Sequence, residues 1–361
     1  MPKFREDLDH IKVYRPGKPI EELAREMGIT DIIKLASNES PLPPFPEVVA
    51  AIAAAAAAGN RYPETTSPRV RQAVAARHDT TPDNVWVAPG GASIIGTVAL
   101  TVLGPGTSSV YADPSFVMYD IATTIARGEG ITVATDAAGR LDLDAMRAAV
   151  RGDTTVVFLC NPNNPTSTHL SGESVSDFVA SLPAGTLVLV DEAYADFATA
   201  PDYASAIPLA LSNDDVVVLR TFSKVYGLAG LRIGYAIGTP ETLLRLSSAQ
   251  LPFAVSVVAQ AAALEALRHE ERLIERVEDN EIGREMLAAE LRDRGFEVFE
   301  SQTNFVAFRH EQSGAIAAAL QATGVIIRAL GDIVRISVGL PAENERMLAA
   351  IDEWRAGGSA G

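Results

Sequence analysis

Between residues 85 and 237 short, unbroken apolar runs alternate with segments of helical period. The runs are NVWVA, SSVYA, ITVAT, TTVVFLC, TLVLVD, DVVVLRT and RIGYAI, several of them dominated by Val, Ile and Leu. A strand with one wet face would carry a polar residue at every second position, and the longer runs do not. Helices must therefore cover both faces, which is the pattern of a mostly parallel α/β sheet. Helical spacing between the runs predicts helices over about 93–102, 116–127, 142–150 and 172–181. Upstream, PPFPEVVAAIAAAAAAGN has a Pro-rich entry and Gly59 bracketing an alanine-rich helix, and SPRVRQAVAARHD predicts a second.

The pattern changes at both ends. Residues 1–35 read as an arm, KVYRPGKP, followed by a short amphipathic helix, IEELAREMG, closed by Gly28. The arm has too few apolar residues to fold alone and is expected to pack on the small domain or on a partner subunit. After about residue 252 a long helical stretch runs to about 294. FEVFE, TNFVAFR, a helix over about 313–323, VIIRA, IVRISVG and a terminal helix follow. Strands in pairs with helices to one side predict an α+β unit. The chain length of 361 exceeds the roughly 250–300 residues at which one core stops growing. We therefore expect a large α/β domain over 36–250, a smaller α+β domain over 251–361, and the arm over 1–35.

Composition narrows the function classes. A net charge of −16, with no run of Lys or Arg, argues against nucleic acid or an anionic membrane as partner. An anionic substrate would have to be held by local arginines. The only cysteine, Cys160, leaves no internal disulfide and no thiolate metal site, and it reads as a small buried hydrophobe. With no apolar leader at the start and no apolar run of 18 residues, a cytoplasmic protein without a membrane span is expected.

Lysine carries more information than charge. It occurs at positions 3, 12, 18 and 34 and then only at Lys224, while arginine appears 22 times after residue 34. Where a cation suffices the chain uses Arg. Lys224 marks a position that needs an amine able to lose its proton and act as a nucleophile.

Ligands of open α/β sheets bind beyond the carboxyl ends of the strands, and four loops with suitable chemistry lie there. VAPGGAS opens a helix at Ala92 and Ser93, whose free N–H groups can cradle a phosphate, although a Gly-Gly turn is also an ordinary turn. TLVLVDEAYADF ends in Asp191, followed by Tyr194; this carboxylate either caps the next turn or faces a protonated heterocycle. CNPNNPTST offers the amide of Asn164. TFSKVYGLAGLRIG brings Ser223, Lys224 and Arg232, a hydroxyl and a guanidinium fork suited to a phosphate monoester beside a lysine suited to an aldehyde. An aldehyde for Lys224, a pyridine nitrogen for Asp191, a phenolic oxygen for Asn164 and Tyr194, and a phosphate for Ser223, Arg232 and the 91–93 turn together describe pyridoxal 5′-phosphate.

The motifs VYRPGKPIEEL, IKLASNESP, NRYPE, NPNNPTS, DEAY, RTFSKVYGLAGLRIGYAIG, GVIIRA and RISVG occur in that order along nearly the whole chain. In them the chain resembles the fold-type I pyridoxal-phosphate-dependent aminotransferases of the histidinol-phosphate aminotransferase family, with their aromatic amino acid aminotransferase relatives. The resemblance implies Lys224 as Schiff-base lysine and proton shuttle and Asp191 on the ring nitrogen. It implies Asn164 and Tyr194 on the ring oxygen, and Ala92, Ser93, Ser223 and Arg232 on the phosphate. It implies Phe116 stacked on the ring, although a core phenylalanine is the other reading. Tyr62 would reach the phosphate of the other subunit in a homodimer. Arg335 would take the substrate carboxylate, with Tyr14, Asn38 and Arg328 also at the substrate. The implied reaction is ping-pong transfer of an amino group from histidinol phosphate, or from an aromatic amino acid, to a 2-oxo acid such as 2-oxoglutarate. The acidic pair usual after the glycine turn is missing here, where Gly91-Ala92-Ser93-Ile94 stands, and Phe116 replaces a common Tyr. Both departures lean toward the aromatic relatives. A decarboxylase or lyase on the same fold, or a noncatalytic protein with an aminotransferase-like body, are the competing readings.

Overall fold

The structure, a computed structural model, describes residues 5, 8, 11, 20–28 and 31–358. In chain order its strands are β1 (Ile33–Lys34), β2 (Val85–Ala88), β3 (Ser108–Asp113), β4 (Glu129–Ala134), β5 (Thr154–Cys160) and β6 (Leu187–Asp191). They continue with β7 (Val216–Thr221), β8 (Gly234–Ile237), β9 (Phe305–Arg309), β10 (Val325–Ile326), β11 (Arg328–Leu330) and β12 (Ile333–Ser337). Seven form one sheet in the order β2-β8-β7-β6-β5-β3-β4, with β8 antiparallel to both of its neighbours and the remaining pairs parallel.

The apolar runs follow from how this sheet is covered. Every residue of β6, β7 and β8 is buried. Along β5, β6 and β7 the side chains alternate between two cores. Val157, Leu159, Val188, Val190, Val216 and Val218 face one; Val156, Phe158, Leu187, Leu189, Val217 and Leu219 face the other. A third core, including Leu287, Phe308, Ile316, Val334, Ile336 and Ile351, lies on the three-stranded sheet β11-β12-β9. The strand β1 pairs with β10 in parallel, and Leu35 enters this third core, so the segment after the arm is stitched to the small unit.

Several elements differ from the sequence-based expectation. FEVFE is not a strand: Val298 makes a single bridge to Phe308. The Val298 amide turns back to the Phe296 carbonyl, which sends Phe296 onto Phe308 and Phe299 toward Ala307 and Ile333. VIIRA splits at Ile327 into β10 and β11, which belong to different sheets. The long helical stretch breaks at 267–269 into Val257–Ala266 and Glu270–Asp293. Helices Ile207–Ser212 and Pro240–Ser247 were not expected. They are short and begin with proline in the first turn, so periodicity over a longer window misses them.

Ala259, Ala262 and Ala263 of helix Val257–Ala266 pack into the large core, although they lie beyond residue 250. Leu273 of the next helix does the same, while its Leu287 and Leu291 enter the small core. We propose that the division between the two units runs through helix Glu270–Asp293.

Candidate active site

The carboxyl ends of β2, β5, β6 and β7 lie along one edge of the sheet, and the antiparallel β8 starts there, with Gly234 opposite both Ala88 and Thr221. The four loops singled out in the sequence are thereby brought together, and Arg232, just before β8, joins them. They surround a cavity of about 540 Å³ lined by Asn38, Ala92, Phe116, Asn164, Asp191, Tyr194, Ser223, Lys224, Arg232, Arg328 and Arg335. A wider cleft of about 1190 Å³ lies elsewhere, between residues 136–147 and 292–300, and contains none of the expected residues.

Lys224 sits in the wall of the cavity with its Nζ donating to the carbonyl oxygen of Asn38 at 3.1 Å and lying 5.3 Å from the centre of the Tyr194 ring. Burial, reinforced by the guanidinium of Arg335, pulls its ammonium pKa down to about 8. At pH 7 about a tenth of the side chain is then free amine, about two orders of magnitude more than an exposed lysine near 10.4 would supply.

Asp191 ends β6 in full burial, and that burial lifts its carboxyl pKa to about 6. Two donors oppose the rise: the Tyr119 hydroxyl at 2.8 Å from Oδ2 and the Ala193 amide at 3.1 Å from Oδ1. Tyr119 is fully buried, stacked on Phe158 with ring centres 5.0 Å apart. Sequence reasoning passed over it; its position three residues after Phe116 in PSFVMY, hence one helical turn along, was the available signal.

Asn38 is a hub. It is buried at φ 53°, a left-handed conformation that asparagine tolerates better than most residues. Its side chain donates to the Tyr194 hydroxyl at 2.9 Å and accepts from Ser337 Oγ at 3.2 Å, so the first loop, the DEAY loop and the small unit meet at one residue. Arg335 donates to Asn164 Oδ1 at 2.6 Å and to the Ala36 carbonyl at 2.7 Å. It stands opposite Arg328 in the β11–β12 register. Burial pushes the Tyr194 hydroxyl well above its usual range, so it remains protonated.

The anion cradle has a steric basis. Gly90 caps helix Gly91–Val102 at φ 84°, ψ 167°, and a Cβ there would lie 2.8 Å from Arg232 Nη2. The positive φ favours glycine there, and any side chain would oblige the flexible Arg232 guanidinium to shift from its path across the helix N-terminus. Arg232 is fixed by its own carbonyl contact, Nη1 to Ala229 at 2.9 Å. Ser223 Oγ accepts from Thr221 Oγ1 at 2.9 Å. Gly91 and Ala92 line the cavity, and Ser93 follows them at the start of the helix with its amide donating to the Gly90 carbonyl at 3.1 Å.

Two expected residues lie away from this chain's cavity or outside the description. Tyr62 is 82% exposed and stacks on Phe253 at 4.7 Å between ring centres. Tyr14 lies outside the described residues.

Comparisons with known proteins place the chain in a family. Residues 30–351 match the family model described as aminotransferase class I and II. The chain belongs to the aminotransferase class I and II family. Among curated relatives of this aminotransferase, a histidinol-phosphate aminotransferase of Moorella thermoacetica is 38% identical, covering 98% of this chain and 93% of the relative. An aromatic amino acid aminotransferase of Rhodococcus jostii is 39% identical, over 96% and 95% of the two chains. The crystal structure of histidinol-phosphate aminotransferase from Sinorhizobium meliloti, in complex with pyridoxal-5′-phosphate, superposes with a TM-score of 0.92 at 30% identity, covering 99% of this chain and 98% of that one. Among the described residues of this aminotransferase, no helix is long and apolar enough to cross a membrane.

Proposed function

We propose that this aminotransferase uses pyridoxal 5′-phosphate to move an amino group from L-histidinol phosphate to 2-oxoglutarate. The observation that carries the cofactor is the cavity that brings together a buried carboxylate of raised pKa, a lysine of lowered pKa, and a helix N-terminus without a side-chain cap, crossed by Arg232. These fit the cofactor's ring nitrogen, aldehyde and phosphate in turn. When bound, the cofactor supplies an electron sink for the carbanion at the substrate's Cα.

The chain's own residues do the rest. Lys224, with its lowered pKa, would bind the cofactor's aldehyde as a free amine and, once released, would take a proton from the substrate's Cα as general base. Asp191, an anion above about pH 6, favours the protonated ring nitrogen. Ser223, Arg232 and the Gly91–Ala92 turn would hold the phosphate. Tyr194 and Asn164 would serve the ring oxygen, and Phe116, in the same cavity wall, would cover the ring.

Arg328 and Arg335 face each other across β11 and β12. Such a pair can grip an anionic group, which 2-oxoglutarate, histidinol phosphate and the α-carboxylate of an aromatic amino acid all offer. The similarity to histidinol-phosphate aminotransferases over nearly the whole chain favours histidinol phosphate as donor. An aromatic donor is the second reading, supported by Phe116 and by the missing acidic pair. We further infer a cytoplasmic homodimer in which Tyr62 reaches the partner's cavity.

Single-turnover half-reactions with histidinol phosphate, phenylalanine and tyrosine test the substrate. Faster turnover of phenylalanine by about tenfold would overturn the first choice. Lys224→Ala should abolish the visible absorption of the loaded protein, and retention of that band together with turnover would overturn the whole reading. Sedimentation showing only monomer would exclude the dimer.

A further inference from the structure

The strand ends that carry Asp191 and Lys224 each place a charged residue on the opposite face of the sheet. Asp191 and Thr221 line the cavity, while Glu192 and Arg220, their chain neighbours, do not. These two meet in a buried pair, 1% and 8% exposed. Arg220 Nε and Nη2 reach Glu192 Oε2 at 2.8 and 2.7 Å. The remaining valences are also taken up. Glu192 accepts from Ser205 Oγ at 2.7 Å and from the Ala206 amide at 2.6 Å. Arg220 donates to Ser205 Oγ at 3.2 Å and reaches Asp196 at 3.5 Å.

We propose that Glu192 and Arg220 are positioning residues that fix the separation between Asp191 and the Ser223-Lys224 turn. A buried ion pair adds little stability compared with apolar residues of the same size, but with every donor and acceptor satisfied it permits one geometry. The pair crosses from the end of β6 to the end of β7, where the Glu192 amide also donates to the Leu219 carbonyl at 2.9 Å. The cofactor must meet a carboxylate at one end and an amine at the other, so its grip depends on the spacing that this cross-tie sets. The inference rests on the cofactor reading above.

Arg220→Lys keeps the charge and loses the fork. The folded variant should bind pyridoxal 5′-phosphate about tenfold more weakly and shift the pH at which the visible band titrates. Its kcat should fall by about 100-fold, the scale expected of a displacement near 1 Å, with KM for the donor nearly unchanged. A pair that only stabilises the fold would lower the melting temperature and leave all three readings at wild-type values; that result in a folded R220K protein overturns the proposal. If R220K does not fold, the same readings on Glu192→Gln decide, because the amide keeps a contact to Ser205 and Ala206. A wild-type protein without a lysine-dependent band would refute the cofactor reading itself, whereas a normal wild-type band unaltered in the variant refutes only the cross-tie.

Discussion

Replacing Asp191 by asparagine should make the cofactor-free protein more stable at neutral pH while weakening its hold on the cofactor. Burial raises the carboxyl from 3.8 to about 6 in the folded chain, a difference worth about 3 kcal/mol. Because the folded state binds this proton more tightly than the unfolded state, the contribution is fully present below about pH 3.8. It is lost as pH rises through about 6. At pH 8 the buried anion therefore costs the empty protein about 3 kcal/mol, which a cationic ring nitrogen would offset. Asparagine carries no charge, and its amide can still meet the Tyr119 hydroxyl and the Ala193 amide, with about 1 kcal/mol lost for poorer hydrogen bonding at any pH. Equilibrium urea unfolding of the cofactor-free wild type and D191N at pH 5 and pH 8 separates the two terms. The variant's stability relative to wild type should grow by about 1.4 kcal/mol between those pH values, the part of the linkage lying in that window. A difference that does not change with pH would refute the claim that Asp191 is held against its ionisation.

Three further outcomes follow from the site. Tyr119→Phe removes a hydrogen bond to a charged group worth about 1.5–3 kcal/mol; the pH window in which Asp191 titrates should move up by about one to two pH units in the same urea series, and an unmoved window would show that the hydroxyl does not support the carboxylate. Lys224 should load with the cofactor's aldehyde at a rate that rises with pH and levels off near 8, the value to which burial brings it; stopped-flow absorbance still climbing at pH 10 would show an ordinary lysine. Gly90→Ala places a methyl group 2.8 Å from Arg232 Nη2 at a backbone conformation only glycine takes easily, so it should destabilise the fold by about 1–3 kcal/mol and lower cofactor affinity; thermal melts and fluorescence titration with unchanged values would contradict the cradle.

Local patterns along the chain specify the sheet and point to most of the residues that line the cavity. Continuous apolar runs require two covered faces, and one fully buried layer of parallel strands is the arrangement that supplies them. Chemical scarcity marked Lys224, and strand-end position marked Asp191, Asn164 and Ser223, because both are local properties of the chain. The tertiary structure decided what depends on partners distant in sequence. Tyr119 became Asp191's donor only when helix Met118–Ile125 packed on β3 and β4 and brought the hydroxyl to a carboxylate 72 residues away in the chain. Asn38 became a hub only when the first loop met Ser337, 299 residues on. FEVFE has the composition of a strand, yet its two phenylalanines are drawn to different neighbours, so the backbone bends there instead of pairing. The pKa values of Lys224 and Asp191 belong to this second class. Residue type sets the starting value, and the depth of burial, which no local pattern encodes, moves one down to about 8 and the other up to about 6.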